Sequence, residues 1–228
     1  MEDMMQQQLK LTIYISLVVT LFFAFRAQAQ LQPQSQKIDN HRMTDWVKVG
    51  VPDTALKKAL AYEANDPHAD DKDKAITNKD WLTIIDYTAP SSQQRMFVIN
   101  LKTGEVIKSF VTHGEGSDDG HGRAVKFSNI DGSLQTTPGF LKIGDQFVSP
   151  TFGPAFKLQG LEDRNSAAES RLIIMHAADY TSSDFVKAHG SVGLSQGCPA
   201  VPPEMLKMLY SKNIPGSLLY GYTSDDAK

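Results

Sequence analysis

From Trp81 onward the chain is written in short β-rich runs, each closed by glycine, proline or a polar turn. "WLTIIDY" (81–87) opens the series. "RMFVIN" (95–100) and "EVIKSFVTH" (105–113) flank "LKTG", a hairpin signal with glycine in the turn. Shorter strands are predicted at "FLKIG" (140–144), "AFKLQG" (155–160) and "RLIIMH" (171–176), and "GSLLYGY" (216–222) reads as a closing strand. Two segments break this pattern. "VPDTALKKALAYEAND" (51–66) has Leu56, Ala59, Leu60 and Tyr62 near helical spacing, with Asp53 or Thr54 as its cap. "PPEMLKMLY" (202–210) places proline in the first turn of a helix. No internal repeat is present. The predicted fold is mainly β with a few helices (α+β), a sandwich or a barrel.

The 228 residues suffice for one domain with a substantial core, and the 41% hydrophobic content is that of a globular chain. A net charge of −3 gives no basic field for a polyanion, so nucleic acid is excluded as the expected partner. Residues 1–29 read as a signal peptide. Leu11–Phe25 is a continuous apolar run after Lys10, and "AQA" (27–29) offers small residues before Gln30. The run is shorter than the roughly 20 residues of a spanning helix. Export with no stable membrane insertion after cleavage is the expectation, an uncleaved anchor the alternative. Residues 30–75 are assigned as linker and short helical segment, beginning with the polar "QLQPQSQ". The main domain is assigned to 76–228. The charged stretch "DPHADDKDK" (66–74) either divides the two or connects packed elements.

Cys198 is the only cysteine, in a chain that reads as exported. It cannot pair within its own chain, and an accessible thiol in an oxidising compartment is a liability. One reading is a buried, inert residue; the other is a nucleophile. "GLSQGCPAVPP" surrounds it with Gly193, Gly197, Pro199, Pro202 and Pro203, which excludes the middle of a helix or strand. A tight loop feeding a helix fits a nucleophile better, since backbone N–H groups there can approach a developing oxyanion. A thiol also needs a base. Arg171–Met175 reads as a buried strand with His176 at its end, 22 positions before Cys198. Spacing alone leaves His176 open between a core histidine and that base.

Other polar groups carry two readings as well. The long irregular stretch 114–139 is more often functional than idle in a compact domain. "HGEGSDDGH" (113–121) gathers His113, Glu115, Asp118, Asp119 and His121, but their spacing follows no tight ligand rule, and no metal is assigned. His189, nine residues before Cys198, is either an exposed loop residue, a second candidate for the base, or a lining of the substrate groove. Tyr180 either orders its loop through the hydroxyl or simply packs.

"IIMHAADY" followed by "GSVGLSQGCPAVP" resembles the murein L,D-transpeptidase catalytic domain family, YkuD-like cysteine transpeptidases. Further matches run through "LTIIDYTAPSSQQRMFVINLKTGEV", "THGEG", "KFSNIDGS", "TPGF" and "LQGLEDRNSAAESR", so the resemblance covers roughly residues 78–222. It implies a β-sandwich-like catalytic domain with Cys198 as nucleophile and His176 as general base. Ser195 and Gly197 would shape the loop, with the Gly197 and Cys198 N–H groups as oxyanion donors. His113, His189 and Tyr180 would stand in support. The implied partners are peptidoglycan stem peptides, outside the membrane, and no cofactor is implied. Cys198 would attack the carbonyl of stem residue three, release terminal D-alanine and pass the acyl group to an amine of another stem. Water as acceptor would make an L,D-carboxypeptidase. The chain departs from the family pattern G-R-x-G-R-S-W-G-C: Ser191, Leu194 and Gln196 replace both arginines and the tryptophan, and Ala177 follows His176 where glycine is common. Lost arginines bear on carboxylate recognition, not on nucleophile or base. A silent wall-binding module of the same fold and a metal-dependent peptidase are the competing readings.

Overall fold

The computed structural model describes residues 40–227. The signal peptide and the polar linker expected before residue 37 lie outside the described residues. Among the described residues no helix is long and apolar enough to cross a membrane.

The apolar run at Trp81 becomes β1 (Trp81–Asp86), buried along nearly its whole length. A strand buried on both faces needs no polar alternation. Its side chains divide with period two. Trp81 and Ile85 enter one hydrophobic core, while Leu82 and Ile84 enter another on the opposite face. β2 (Met96–Asn100) and β3 (Val106–Ser109) form the expected hairpin, with β2 antiparallel to β1. β4 (Gly139–Ser149) and β5 (Gly153–Gly160) form a longer hairpin with a register irregularity between Ile143 and Gln146. β6 (Ile174–Ala177), β7 (Ala200–Val201) and β8 (Leu218–Tyr222) complete a single eight-stranded sheet, ordered β3-β2-β1-β8-β4-β5-β6-β7.

That order would leave β2 and β7 far apart in a flat sheet, at about 4.8 Å per strand. Instead Val98 of β2, Phe156 of β5 and Val201 of β7 share one core. The sheet therefore curls around it. Closure is visible beyond the end of β3, where the Thr112 N–H donates to the Ala200 carbonyl at 3.0 Å and Thr112 Oγ1 accepts the Ala200 N–H at 2.9 Å. The fold is mainly β with a few helices, as predicted, and takes the form of one nearly closed sheet rather than two stacked ones.

The second core lies on the outer face. There α1 (Asn40–Lys48) contributes Trp46, and α2 (Asp53–Ala64) contributes Ala55, Leu56 and Ala59, against Leu82, Phe97 and Leu218. This core spans both sides of residue 75, so the charged stretch 66–74 connects packed elements. Neither expected cap holds α2. The chain enters through Pro52, which makes no side-chain cap, and Asp53 sits in the first turn, paired with Lys57 at 2.6 Å. Two further helices lie near the cysteine. Hydrophobic periodicity does not predict α3 (Ser183–His189), because it buries no residue and so shows no apolar stripe. Its punctuation is regular all the same: Ser182 Oγ accepts the Phe185 N–H, and Gly190 closes the helix at φ 82°. α4 (Pro203–Ser211) carries proline in its first turn, as expected.

Candidate active site

The strand that carries His176 starts later than predicted. Arg171 and Leu172 lie in a turn, with Leu172 at φ 55°, and β6 begins at Ile174. His176 is therefore inside the strand, 1% exposed, paired with Ala155 of β5 and Ala200 of β7. The turn between β4 and β5 places Phe152 on its ring, with centroids 4.0 Å apart and planes at 23°. His176 Nδ1 lies 3.0 Å from the Ala177 carbonyl oxygen. A carbonyl can only accept, so Nδ1 carries the proton and Nε2 is left with its lone pair. Burial pulls the imidazole below its ordinary range, against a smaller opposing pull from the Ala177 carbonyl. His176 is thus neutral near pH 7 and able to accept a proton at Nε2.

The Cys198 loop is held by hydrogen bonds from within and from the segment after β3. Ser195 Oγ accepts the Gly197 N–H at 3.1 Å and donates to the Cys198 carbonyl at 2.7 Å. Thr112 Oγ1 donates to the same carbonyl at 3.0 Å. Ser195 N–H donates to the His113 carbonyl at 3.0 Å, and Glu115 N–H to the Ser195 carbonyl at 2.8 Å. Gly197 turns the chain at φ 120°, where a Cβ would stand 2.7 Å from the Gln135 carbonyl oxygen; only glycine fits. Because its N–H is already given to Ser195, Gly197 shapes the loop and is not a free oxyanion donor. The Cys198 N–H donates to no described residue.

Cys198 itself is partly buried beside the main core. Its Sγ accepts the Ile174 N–H at 3.5 Å and lies 3.6 Å from the Leu172 carbonyl oxygen. Burial raises the thiol above its ordinary range, opposed by the Ile174 N–H and the positive charge of Arg171. No hydrogen bond joins Sγ to His176. The parallel register of β6 and β7 nevertheless brings the thiol to the Ile174 N–H, two residues before His176 in the strand. At rest the thiol and the imidazole are both neutral, and they form no ion pair.

The other predicted residues fall around this centre. Tyr180 seats the loop by packing: a Cβ on Gly193 would meet its ring at 2.8 Å, and its carbonyl accepts the Gly193 N–H at 2.8 Å. His189 stacks on Phe185 at 3.9 Å and lines a cleft of about 270 Å³ with Asp118, His121, Ser191 and Leu194, a lining that does not include Cys198. His113 is fully buried, with Nδ1 2.7 Å from Arg95 and Nε2 2.8 Å from Asp118, so neither ring nitrogen faces an open site. Among the described residues no group of three or more histidine, cysteine or carboxylate side chains is arranged to hold a metal.

Sequence reasoning missed Arg95, Thr112, Phe152 and Arg171. Arg95 stands just before β2 and Phe152 sits in a turn, positions that are ordinarily solvent-facing. The Arg171 guanidinium is locked onto the loop 128–137 through Ser128, Ser133, Gln135 and Thr137. Only the long irregular stretch 114–139 hinted that something must grip it.

A comparison with curated proteins finds no match. Solved structures do match. An L,D-transpeptidase from Mycobacterium smegmatis is 13% identical over 63% of this chain and 59% of its own length, with a TM-score of 0.41. An L,D-transpeptidase from Stackebrandtia nassauensis is 16% identical over 73% of this chain and 67% of its own, with a TM-score of 0.39. The helical cell shape determining protein Pgp2 from Campylobacter jejuni, a K307A mutant, is 16% identical over 75% of this chain and 56% of its own, with a TM-score of 0.38. This chain thus spans less than two thirds of the Mycobacterium smegmatis chain. The family profile of the L,D-transpeptidase catalytic domain matches residues 51–222, a span that holds Cys198, His176 and every strand described above. By that match the chain belongs to the L,D-transpeptidase catalytic domain family.

Proposed function

We propose that the chain is an exported cysteine L,D-transpeptidase acting on peptidoglycan stem peptides, with Cys198 as nucleophile and His176 as general base. The observation that carries this reading is the parallel pairing of β6 with β7. It lays the only cysteine beside the strand that bears a neutral imidazole with a free Nε2. Family membership supplies the substrate class.

In this reading Sγ leaves its resting contacts at Ile174 and Leu172 and delivers its proton to His176 Nε2. The thiolate attacks the carbonyl carbon of stem residue three. The negative charge on the carbonyl oxygen is met by the Cys198 N–H. The C–N bond to terminal D-alanine then breaks, and His176 gives its proton to the departing amine. The thioester is next attacked by an amine of a second stem, which loses a proton to His176. Collapse forms the new amide and returns the proton to Sγ. Water in place of the amine gives the L,D-carboxypeptidase outcome through the same thioester. Retaining the fold without this chemistry would leave a wall-binding module. Residues 1–29, read as a signal peptide, support a reaction outside the cytoplasmic membrane, in the periplasm or at the cell surface, where the substrate lies.

Incubation of the purified chain with disaccharide tetrapeptides, followed by mass analysis, tests the proposal. Cross-linked products with loss of D-alanine support transfer, and free tripeptide supports hydrolysis. Unchanged substrate with a folded, wild-type protein contradicts both enzymatic readings.

A further inference from the structure

Arg95 is 1% exposed and, among the described residues, makes no ion pair with a carboxylate. Its Nε and one terminal nitrogen donate to the Val111 carbonyl at 3.3 and 3.1 Å, and the other terminal nitrogen donates to the Ala89 carbonyl at 3.0 Å. The remaining contact is His113 Nδ1 at 2.7 Å. A buried guanidinium among neutral acceptors is costly, and chains seldom keep one without a structural or functional return.

Guanidinium nitrogens only donate, so His113 Nδ1 must accept. The proton then sits on Nε2, which donates to Asp118 Oδ1 at 2.8 Å. The second Asp118 oxygen accepts the Gly120 N–H at 2.7 Å. The result is a fixed order: cation, neutral imidazole, carboxylate. A protonated His113 would turn an N–H toward the guanidinium and break the first link. Burial, and after it the charge of Arg95, keep His113 below its ordinary range, while Asp118 and Asp119 pull the other way. The Tyr87 ring packs 5.3 Å from the guanidinium carbon.

The segment this order grips is the one that holds the nucleophile loop. Thr112 binds the Cys198 carbonyl and Ala200 N–H, the His113 carbonyl takes the Ser195 N–H, and Gly114 bridges to Ser195. We propose that Arg95, His113 and Asp118 form a buried positioning relay, with neutral His113 as the link that fixes segment 112–115 and through it Ser195 and Cys198. This deepens the transpeptidase reading and rests on it. Arg95 and His113 touch no reacting atom; they act through the loop.

A glutamine at 113 offers one acceptor and one donor and cannot titrate, whereas phenylalanine offers neither. The test uses the purified full chain and three readouts: the limiting rate and half-saturation of Cys198 acylation by a carbapenem, the alkylation rate of Cys198 by iodoacetamide, and the thermal midpoint. His113→Gln is expected to keep the limiting rate within about fivefold of wild type. His113→Phe is expected to lower it tenfold or more with little change in half-saturation. Asp118→Ala, at the outer end of the relay, gives the same reading if His113→Phe does not fold. Ring ¹⁵N shifts of His113 in the wild type are expected to report the Nε2–H tautomer. The proposal is overturned by wild-type rates in folded His113→Phe or Asp118→Ala, by His113→Gln as slow as His113→Phe, or by the Nδ1–H tautomer. Wild-type protein that a carbapenem does not acylate at Cys198 overturns the transpeptidase reading instead. The tautomer and the alkylation rates still decide the relay in that case.

Discussion

Ser195 Oγ donates to the Cys198 carbonyl oxygen at 2.7 Å while accepting the Gly197 N–H, so one hydroxyl spans both sides of the peptide turn at Cys198. Ser195→Ala removes both bonds and leaves the buried Gly197 N–H without a partner. A stability loss of about 1–3 kcal/mol is expected, together with a tenfold or greater fall in the acylation rate of Cys198. Denaturant unfolding and carbapenem acylation measure the two separately. Stability loss with an unchanged rate would confine Ser195 to a structural role.

Gly197 offers a sharper steric test. At φ 120°, with the Gln135 carbonyl oxygen 2.7 Å from where a Cβ would stand, alanine can neither adopt the backbone easily nor find room. Gly197→Ala is expected to abolish acylation and lower the thermal midpoint. Gly132→Ala, at φ 70° with no atom within 4 Å, is the control and should cost only about 1 kcal/mol. Equal effects at the two positions would show that the loop does not need its close contact with Gln135.

Phe152, 46% exposed, covers the ring of His176 and helps keep it from water. Phe152→Ala should let the imidazole rise toward its ordinary value near 6.5. In the proposed role His176 must be neutral to take the thiol proton, so activity is expected to fall as pH drops through its pKa. Raising that pKa moves the acid limb of the rate profile to higher pH. The pH dependence of Cys198 acylation checks this; an unmoved or downward-shifted limb would contradict it.

Glu63 faces the outer core at 7% exposure, and its Oε1 has no hydrogen-bond partner. Burial pushes its carboxyl up to about 7, with Lys79 pulling it back in part. A raised folded-state pKa contributes stability that is complete below the unfolded value near 4.5 and is lost as pH rises through about 7. Glu63→Gln should therefore gain about 1–3 kcal/mol at pH 8, and the gain should shrink toward pH 5. Urea unfolding at the two pH values decides it, and a gain that grew on acidification would refute the burial argument.

The strands from Trp81 to Asn100 are legible in the sequence because both faces of β1 are buried, and a continuous apolar run has few other uses. The hairpin at Gly104 is legible from its turn. The curl of the sheet is not, since it depends on Thr112 meeting Ala200, residues 88 positions apart that carry no pattern. α3 escapes because a helix with no buried face has no periodicity to read, though Ser182 and Gly190 mark its ends. Cys198 stands out as the single thiol in a glycine- and proline-rich loop. His176 stands out only beside it, and its tautomer depends on the Ala177 carbonyl, a backbone group invisible to side-chain reasoning. Arg95 shows the opposite failure: a charged residue just before a strand reads as surface, yet it is buried on Val111, Ala89 and His113.

Intact-protein mass spectrometry after incubation with a carbapenem tests the central claim most directly, with wild type, Cys198→Ala and His176→Ala compared side by side. The expected result is a single covalent adduct on wild type, none on Cys198→Ala, and formation slowed at least a hundredfold on His176→Ala. An adduct that persists on Cys198→Ala, or one that forms on His176→Ala at the wild-type rate, would contradict the assignment of nucleophile or base.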